Sequence, residues 1–345
     1  MDTPQTLGFK MPAEWEEHSA IWLSWPHDRE SFPHLEKAEA EFAAFIGAIS
    51  ETEKVELHVV NDAMRQRAER LLDEHGVDIT DVRFHMEDYA DIWFRDYGPT
   101  FVVNRETKEL AMVKWIFNAW GNKYEELMKD NQIPYRMNES LKLKMFEAGI
   151  VLEGGSVDVN GLGTVLTTEQ CLLNKNRNPD LSKKEIEQKL MDYLNVTNIV
   201  WLKEGVVGDD TDGHIDDIAR FVNPTTVVCA YEEDESDQNY AALKENYDIL
   251  GESTDQDGNP LIVVKLPMPG EVLSDEGDPL PASYTNFYIG NKAVIVPTFG
   301  TKNDQKALDI LRPLFPGREV VGLPARHIVY GNGTFHCMSQ QQPLP

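Results

Sequence analysis

The sequence predicts an α/β fold in one domain spanning residues 1–345, on three observations. Strand-like and helix-like apolar patterns alternate densely from Ser19 to Leu323. They group into about five units, each combining a hairpin with a helix, with no shared sequence signature. No low-complexity segment separates the units, although 255–260 and 267–281 are long polar loops. Length alone would suggest about two domains, but the unbroken alternation argues for one. Forty-one per cent hydrophobic and 26% charged residues supply an ordinary globular core.

In order, residues 19–26 read as a buried strand stopped by Pro26. Leu35, Ala38, Phe42, Phe45, Ile46 and Ile49 stand at helical spacing. A strand at 55–60 leads to Asn61, which caps a helix ending at Gly76. A strand follows at 82–86, and 100–104 with 110–117 read as a hairpin. Residues 127–148 read as partly helical, with a break at Pro134. Residues 157–166 read as a hairpin turning at Asn160-Gly161. Ser182 and Glu185 form a capping box for a helix to Leu194. Strands are expected at 199–202, 218–222, 226–231 and 261–266, with a helix over 236–250. A hairpin at 287–296, a helix at 304–314 and a strand at 320–323 complete the pattern.

The net charge is −27, from 59 acids against 32 bases. Such a surface repels nucleic acid and anionic membranes and attracts small cations, besides serving solubility. No apolar run approaches the ~18 residues of a membrane helix. The opening Met1-Asp2-Thr3-Pro4-Gln5 lacks the order of a signal peptide. Cys171, Cys229 and Cys337 are too few and scattered for a disulfide framework or a zinc knuckle, so a reducing cytoplasm is expected.

Four polar stretches stand out. Cys337 follows Gly331-Asn332-Gly333-Thr334-Phe335-His336, where glycines allow unusual backbone and close approach. A thiol there is a candidate nucleophile, and a buried structural cysteine is the alternative. Acids concentrate at 87–99, at Glu153-Gly154-Gly155, and at 208–217. Arg95 beside Asp96 could be a plain surface ion pair. The last stretch could instead hold a divalent ion on Asp209, Asp210, Asp212, His214 and Asp216, although it lacks the closing Glu of a calcium loop. His214 and Asp216 stand two apart, so an extended segment would point both the same way. A thiol, an imidazole and several carboxylates suit attack on a planar cation, because paired carboxylates grip a guanidinium with bidentate hydrogen bonds. An acyl substrate would want oxyanion donors that Asp96 and Asp216 do not offer.

Trp93-x-Arg95-Asp96-x-Gly98-Pro99, Glu153-Gly154-Gly155, Gly213-His214-x-Asp216 and Phe335-His336-Cys337-x-x-Gln340-Gln341-Gln342-Pro343 resemble the agmatine deiminase family, which is grouped with the Porphyromonas-type peptidylarginine deiminases. The match runs in order from Met11-Pro12-Ala13-Glu14-Trp15-Glu16 to the final residues. The resemblance implies the pentein fold, a five-bladed α/β propeller of ββαβ-type units with its site in a central channel. It also implies hydrolytic deimination through a cysteine thioether. Agmatine and water would give N-carbamoylputrescine and ammonia, a step of putrescine and polyamine synthesis, with peptidyl or free arginine as the alternative substrate. Cys337 would attack the guanidinium carbon and His214 would move protons. Asp96 and Asp216 would hold the nitrogens, and Glu153 would orient His214 or share that grip. Trp93, Trp120, Asp210 and Gly333 are the expected contacts for the rest of the substrate. No cofactor or metal is implied, and a homo-oligomer is compatible. A metal-dependent hydrolase and a non-catalytic polycation-binding protein are the readings from other classes. Three places depart from the family pattern: Asp212 where Asn is common, Asn122-Lys123-Tyr124 after a glycine commonly doubled, and Asn332-Gly333-Thr334-Phe335 for Gly-Asn-Ile. The resemblance puts all three near the substrate's tail.

Overall fold

One strand connectivity recurs through a computed structural model that describes residues 2–345, leaving Met1 of the opening segment outside the described residues. An antiparallel pair is joined by a parallel third strand. β1 (His18–Ser24), β2 (Lys54–Val59) and β3 (Val82–Met86) are parallel neighbours. β4 (Thr100–Asn104) pairs antiparallel with β5 (Glu109–Ile116), which takes β6 (Lys144–Val151) in parallel. The pattern repeats in β7 (Asp158–Val159), β8 (Thr164–Thr168) and β9 (Asn198–Leu202). It repeats again in β10 (Ala219–Asn223), β11 (Thr226–Tyr231) and β12 (Ile262–Pro267). A fourth copy is β13 (Tyr288–Ile289), β14 (Ala293–Thr298) and β15 (Glu319–Pro324). Finally β16 (Ser339–Pro343) pairs antiparallel with β1, giving the first sheet its hairpin-like partner from the far end of the sequence. The result is five small sheets of one design, as expected for a pentein.

Local chemistry explains most boundaries. The Asn61 side chain accepts from Met64 N at 2.9 Å and starts the helix Asp62–Glu74. Ser182 and Glu185 form both bonds of a capping box on the helix Lys183–Leu194. The helix Leu35–Ile49 buries the apolar positions that its spacing marked.

The break expected at Pro134 is there: the 3₁₀ segment Glu125–Gln132 ends, and Pro134 takes the first turn of the helix Ile133–Leu141, where a missing N–H costs no hydrogen bond. Two other expectations need correction. That helix stops at left-handed Lys142, and the stretch taken as its continuation is β6. There Phe146, Ala148 and Ile150 are buried between exposed neighbours, a period of two that should have been read as strand. The β7–β8 connection is also longer than an Asn-Gly turn, because the Asn160 side chain collects the N–H groups of Leu162, Gly163 and Thr164. The glutamine run forms strand β16: Trp22 Nε1 donates to Gln342 Oε1 at 2.9 Å, and Arg95 Nη1 to Gln341 Oε1 at 2.7 Å. Among the described residues no helix is long and apolar enough to cross a membrane.

Candidate active site

Each sheet's first strand is preceded by a short turn, and these turns supply the site. Asp96 lies on the helical turn Phe94–Tyr97 before β4. Glu153 precedes the turn Gly154–Ser156 that leads to β7. His214 caps the turn Ile215–Asp217 before β10, and Asp216 lies within that turn. Cys337 stands just before β16. All five side chains are buried. The segment holding His214 and Asp216 is a tight turn, not the extended stretch their spacing suggested.

The geometry is specific. His214 Nδ1 lies 3.7 Å from Asp96 Oδ1 and its Nε2 lies 3.9 Å from Glu153 Oε2, so the ring sits between two carboxylates as an ion pair. Among the described residues neither ring nitrogen has a hydrogen-bond partner. Burial alone would lower the imidazole's pKa, but Asp96, Cys171 and Glu153 outweigh it and hold it well above its ordinary value. Asp96 accepts from Gly155 N at 3.0 Å and from Trp120 Nε1 at 2.9 Å. Burial raises its pKa to about 6, with Asp216 adding to the rise and His214 opposing it. Asp216 Oδ2 accepts from His336 Nδ1 at 2.6 Å and stands 3.4 Å from Cys337 Sγ, while Oδ1 has no partner. Against the cost of burial, the His336 bond keeps Asp216 below the usual carboxylate range. Burial and the neighbouring Asp216, Asp217 and Asp96 hold the Cys337 thiol well above its ordinary value.

A cavity of about 550 Å³ opens onto this cluster, lined in part by Trp93, Asp96, Trp120, Asp210, Asn332 and Cys337. Glu153, His214 and Asp216 lie beneath it. Asp210 accepts from Tyr124 OH at 2.6 Å and from Asn332 Nδ2 at 3.0 Å on the cavity wall. Gly333 does not line the cavity. A Cβ there would lie 2.6 Å from Trp93 Cζ3 and 2.9 Å from Cys337 Cβ, so close packing under Trp93 excludes a side chain. Gly331 is hemmed in by Trp93 in the same way, and the left-handed residue between them is Asn332, at φ 69°. The glycines thus permit close approach to an indole rather than unusual backbone.

The 208–217 stretch is not one ion cage. Asp209 binds its own loop at Thr211 N and Gly213 N, Asp210 binds Tyr124 and Asn332, and Asp212 binds Asn176 and Arg177. Asp216 is held by His336. Their oxygens face different partners.

Several contributors were not visible from spacing. Arg177 donates to Glu153 Oε1 at 2.7 Å, and against burial its charge holds Glu153 below the usual range. Glu14, in the opening motif, accepts from His336 Nε2 and from Arg220 Nη2, each at 2.8 Å, and so anchors the histidine that supports Asp216. Cys171 is not remote from the site: its Sγ lies 3.9 Å from Glu153 Oε2. Gly155 carries no side chain because a Cβ would lie 2.6 Å from His214 Nδ1 and 2.9 Å from Asp96 Oδ1. Gly155→Ala should therefore lower kcat by about 10²-fold or more, the effect of a ~1 Å displacement in a site. Its melting temperature should move little, and near-normal turnover would show that the cluster tolerates displacement.

Residues 10–343 match the Porphyromonas-type peptidyl-arginine deiminase family. The chain belongs to that family. The Medicago truncatula agmatine deiminase is 39% identical over 374 aligned residues, covering 99% of this chain and 98% of the relative. The solved agmatine deiminase of Enterococcus faecalis superposes with a TM-score of 0.93 at 36% identity, covering 100% of this chain and 98% of the other. A C. jejuni agmatine deiminase solved with substrate bound gives 0.86 at 34% identity, over 97% and 96%. These similarities confirm the α/β propeller of the deiminase family and a hydrolase acting on amidine C–N bonds.

The segments around residues 122–124, 212 and 332 meet one another. Lys123 Nζ lies 2.8 Å from Asp212 Oδ1, so base and acid form a pair. Asn332 and Tyr124 both end on Asp210. Residues 119–122 all have positive φ, from 50° to 89°, a strained turn that aims Trp120 Nε1 at Asp96.

Proposed function

We infer that this protein hydrolyses agmatine to N-carbamoylputrescine and ammonia. The observation that favours agmatine over arginine is the sign of the cavity wall. Asp28, Glu30, Glu126 and Asp210 line it, with Asp91 raised to about 7 by burial, whereas its bases among the described residues are Lys129, paired with Asp88 at 2.6 Å, and His27, whose pKa is lowered by burial. A tail ending in an ammonium is welcome there, and an α-carboxylate finds no unpaired cation.

Asp96 and Asp216 hold the guanidinium over Cys337. Its positive charge offsets the carboxylates that keep the thiol protonated, so the thiol gives its proton to solvent and the thiolate forms when substrate is present. Sγ attacks the guanidinium carbon and His214 protonates the departing nitrogen, which leaves as ammonia. Water then attacks the amidino-thioether while His214 takes its proton, and breaking the C–S bond returns the thiolate and frees the ureido product. Glu153, fixed by Arg177, orients His214. Asp210 binds the distal ammonium, and Trp93 and Trp120 cover the alkyl chain. Residues 96 to 337 contribute and β16 closes the first sheet, which supports one catalytic domain.

The test is ureido formation from agmatine, arginine and a blocked arginyl peptide, with and without chelator. Agmatine should be preferred by about 10²-fold or more, the scale of an unpaired charge in a site, and chelation should change nothing. Equal citrulline from arginine would overturn the substrate, and activity restored only by a divalent ion would revive metal-assisted hydrolysis.

A further inference from the structure

Lys123 and Tyr124 meet Asp210 and Asp212 beside the cavity, yet nothing above gives the lysine a role. Lys123 Nζ donates to Asp212 Oδ1 at 2.8 Å and to the backbone oxygen of Asp210, while Tyr124 OH donates to Asp210 Oδ2 at 2.6 Å. Asp212 is itself anchored. Its Oδ2 accepts from Asn176 Nδ2 at 2.9 Å and from Arg177, the guanidinium that also donates to Glu153 Oε1 at 2.7 Å. The ammonium thus ties the segment carrying Trp120 to a carboxylate fixed in the buried part of the site. That segment needs a tie. Residues 119–122 all have positive φ, a backbone that Ala119, Trp120 and Asn122 adopt only at a cost, so contacts from outside must hold it. Before it, Asn118 Nδ2 donates to Asn176 O at 2.9 Å, and after it stands Lys123.

We propose that Lys123 is a positioning residue that sets the length of substrate tail the cavity accepts, by clamping Trp120 and Tyr124 to the loop of Asp210 and Asp212. The proposal rests on the reading that Asp96 takes the guanidinium and Asp210 the distal ammonium. The separation of those two carboxylates decides which guanidinoalkylamine spans the site. Lys123 is bonded to the loop bearing Asp210, and its own segment reaches Asp96 through Trp120 Nε1 at 2.9 Å. The lysine does not line the cavity, so it acts through Trp120, Tyr124 and Asp210, which do. Asp212 neutralises its charge, so a base can stand here without repelling a cationic tail. Asp96 also accepts from Gly155 N at 3.0 Å, so a loosened clamp leaves the guanidinium end in place.

The experiment measures kcat and KM of wild-type protein, Lys123→Met and Lys123→Arg on agmatine and on its homologues with one methylene fewer and one more. Lys123→Met should raise KM for agmatine by about five- to tenfold, the scale of a charge-assisted bond lost at a partly exposed site. Its kcat should stay within about threefold. The preference in kcat/KM for agmatine over the homologues should fall by about the same five- to tenfold. Lys123→Arg, which keeps the charge and the donors, should recover most of both. A merely structural pair would lower the melting temperature and leave the length preference in place, and that result overturns the proposal. So does a lower KM in Lys123→Met, which would make the lysine a repelling charge, and so does a wild-type protein indifferent to tail length. Should Lys123→Met fail to fold, Lys123→Gln decides: a reduced length preference supports the clamp and an unchanged one overturns it. Wild-type protein that prefers arginine, or turns over none of these amines, would instead count against the proposed substrate.

Discussion

Replacing Cys337 with alanine should abolish ureido formation, a fall of about 10⁴-fold or more, while agmatine still binds. Sγ makes the only bond to carbon, so no residual route through the thioether survives its removal. The groups proposed to grip the cation, Asp96 and Asp216, keep their supports from Gly155, Trp120 and His336. The dissociation constant should change by less than about tenfold, which is 1.4 kcal/mol. Calorimetry and product analysis on one preparation measure both quantities. The free thiol should also alkylate slowly at neutral pH and faster as pH rises, because burial and three carboxylates hold it protonated. Cys229, whose thiol burial pushes up to about 12, lies outside the cluster, and Cys229→Ala should leave turnover unchanged. A Cys337→Ala protein with near wild-type activity would end the thioether mechanism.

Asp216→Asn and His214→Ala should separate binding from chemistry. The unpartnered Oδ1 of Asp216 is free to accept a guanidinium N–H. Breaking a buried charge pair by removing one partner costs about 3–5 kcal/mol, roughly 10²–10³ in the dissociation constant. His214 moves protons during reaction, so its loss should depress turnover far more than affinity. Both are measured on a Cys337→Ala background for binding and a wild-type background for rate. Affinity lost only in His214→Ala would mean the two roles are exchanged. The pH profile follows from Asp96, raised to about 6. Above that pH it is the carboxylate that holds the cation. As pH falls through about 6 it becomes a neutral acid, so kcat/KM should fall on the acid side.

The sequence made the polar centre legible because its chemistry is concentrated in short runs: Arg95-Asp96, Glu153-Gly154-Gly155, His214-x-Asp216 and His336-Cys337 each place a reactive group beside a turn residue. The helices with apolar stripes and side-chain caps, at 35–49, 62–74 and 183–194, were readable for the same local reason. What local pattern could not show was long-range partnership. Asn286 lies in Ser283-Tyr284-Thr285-Asn286, an unremarkable approach to a hairpin, and its amide meets the sulfur of Cys337 only because that residue folds onto it. Arg177 reaches Glu153 across 24 positions, and Glu14 reaches His336 across 322. β6 is hard to separate in the sequence because Met137 and Leu141 stand at helical spacing and the period of two begins directly after that helix ends. The burial of Gln340 and Gln341 depends likewise on β1 and Arg95, which local pattern does not show.

The pairing of β16 with β1 has a consequence in time. Trp22 and Gln342 are 320 positions apart, so closing that sheet brings together the most distant parts of the described chain. The chain-entropy cost of such a closure is on the order of 5 kcal/mol, and contacts of this range form late when a protein folds. Cys337 sits at the threshold of that last strand. The sulfur therefore meets Asp216 and Asn286 only when that sheet closes, so the site is assembled no earlier than the first sheet.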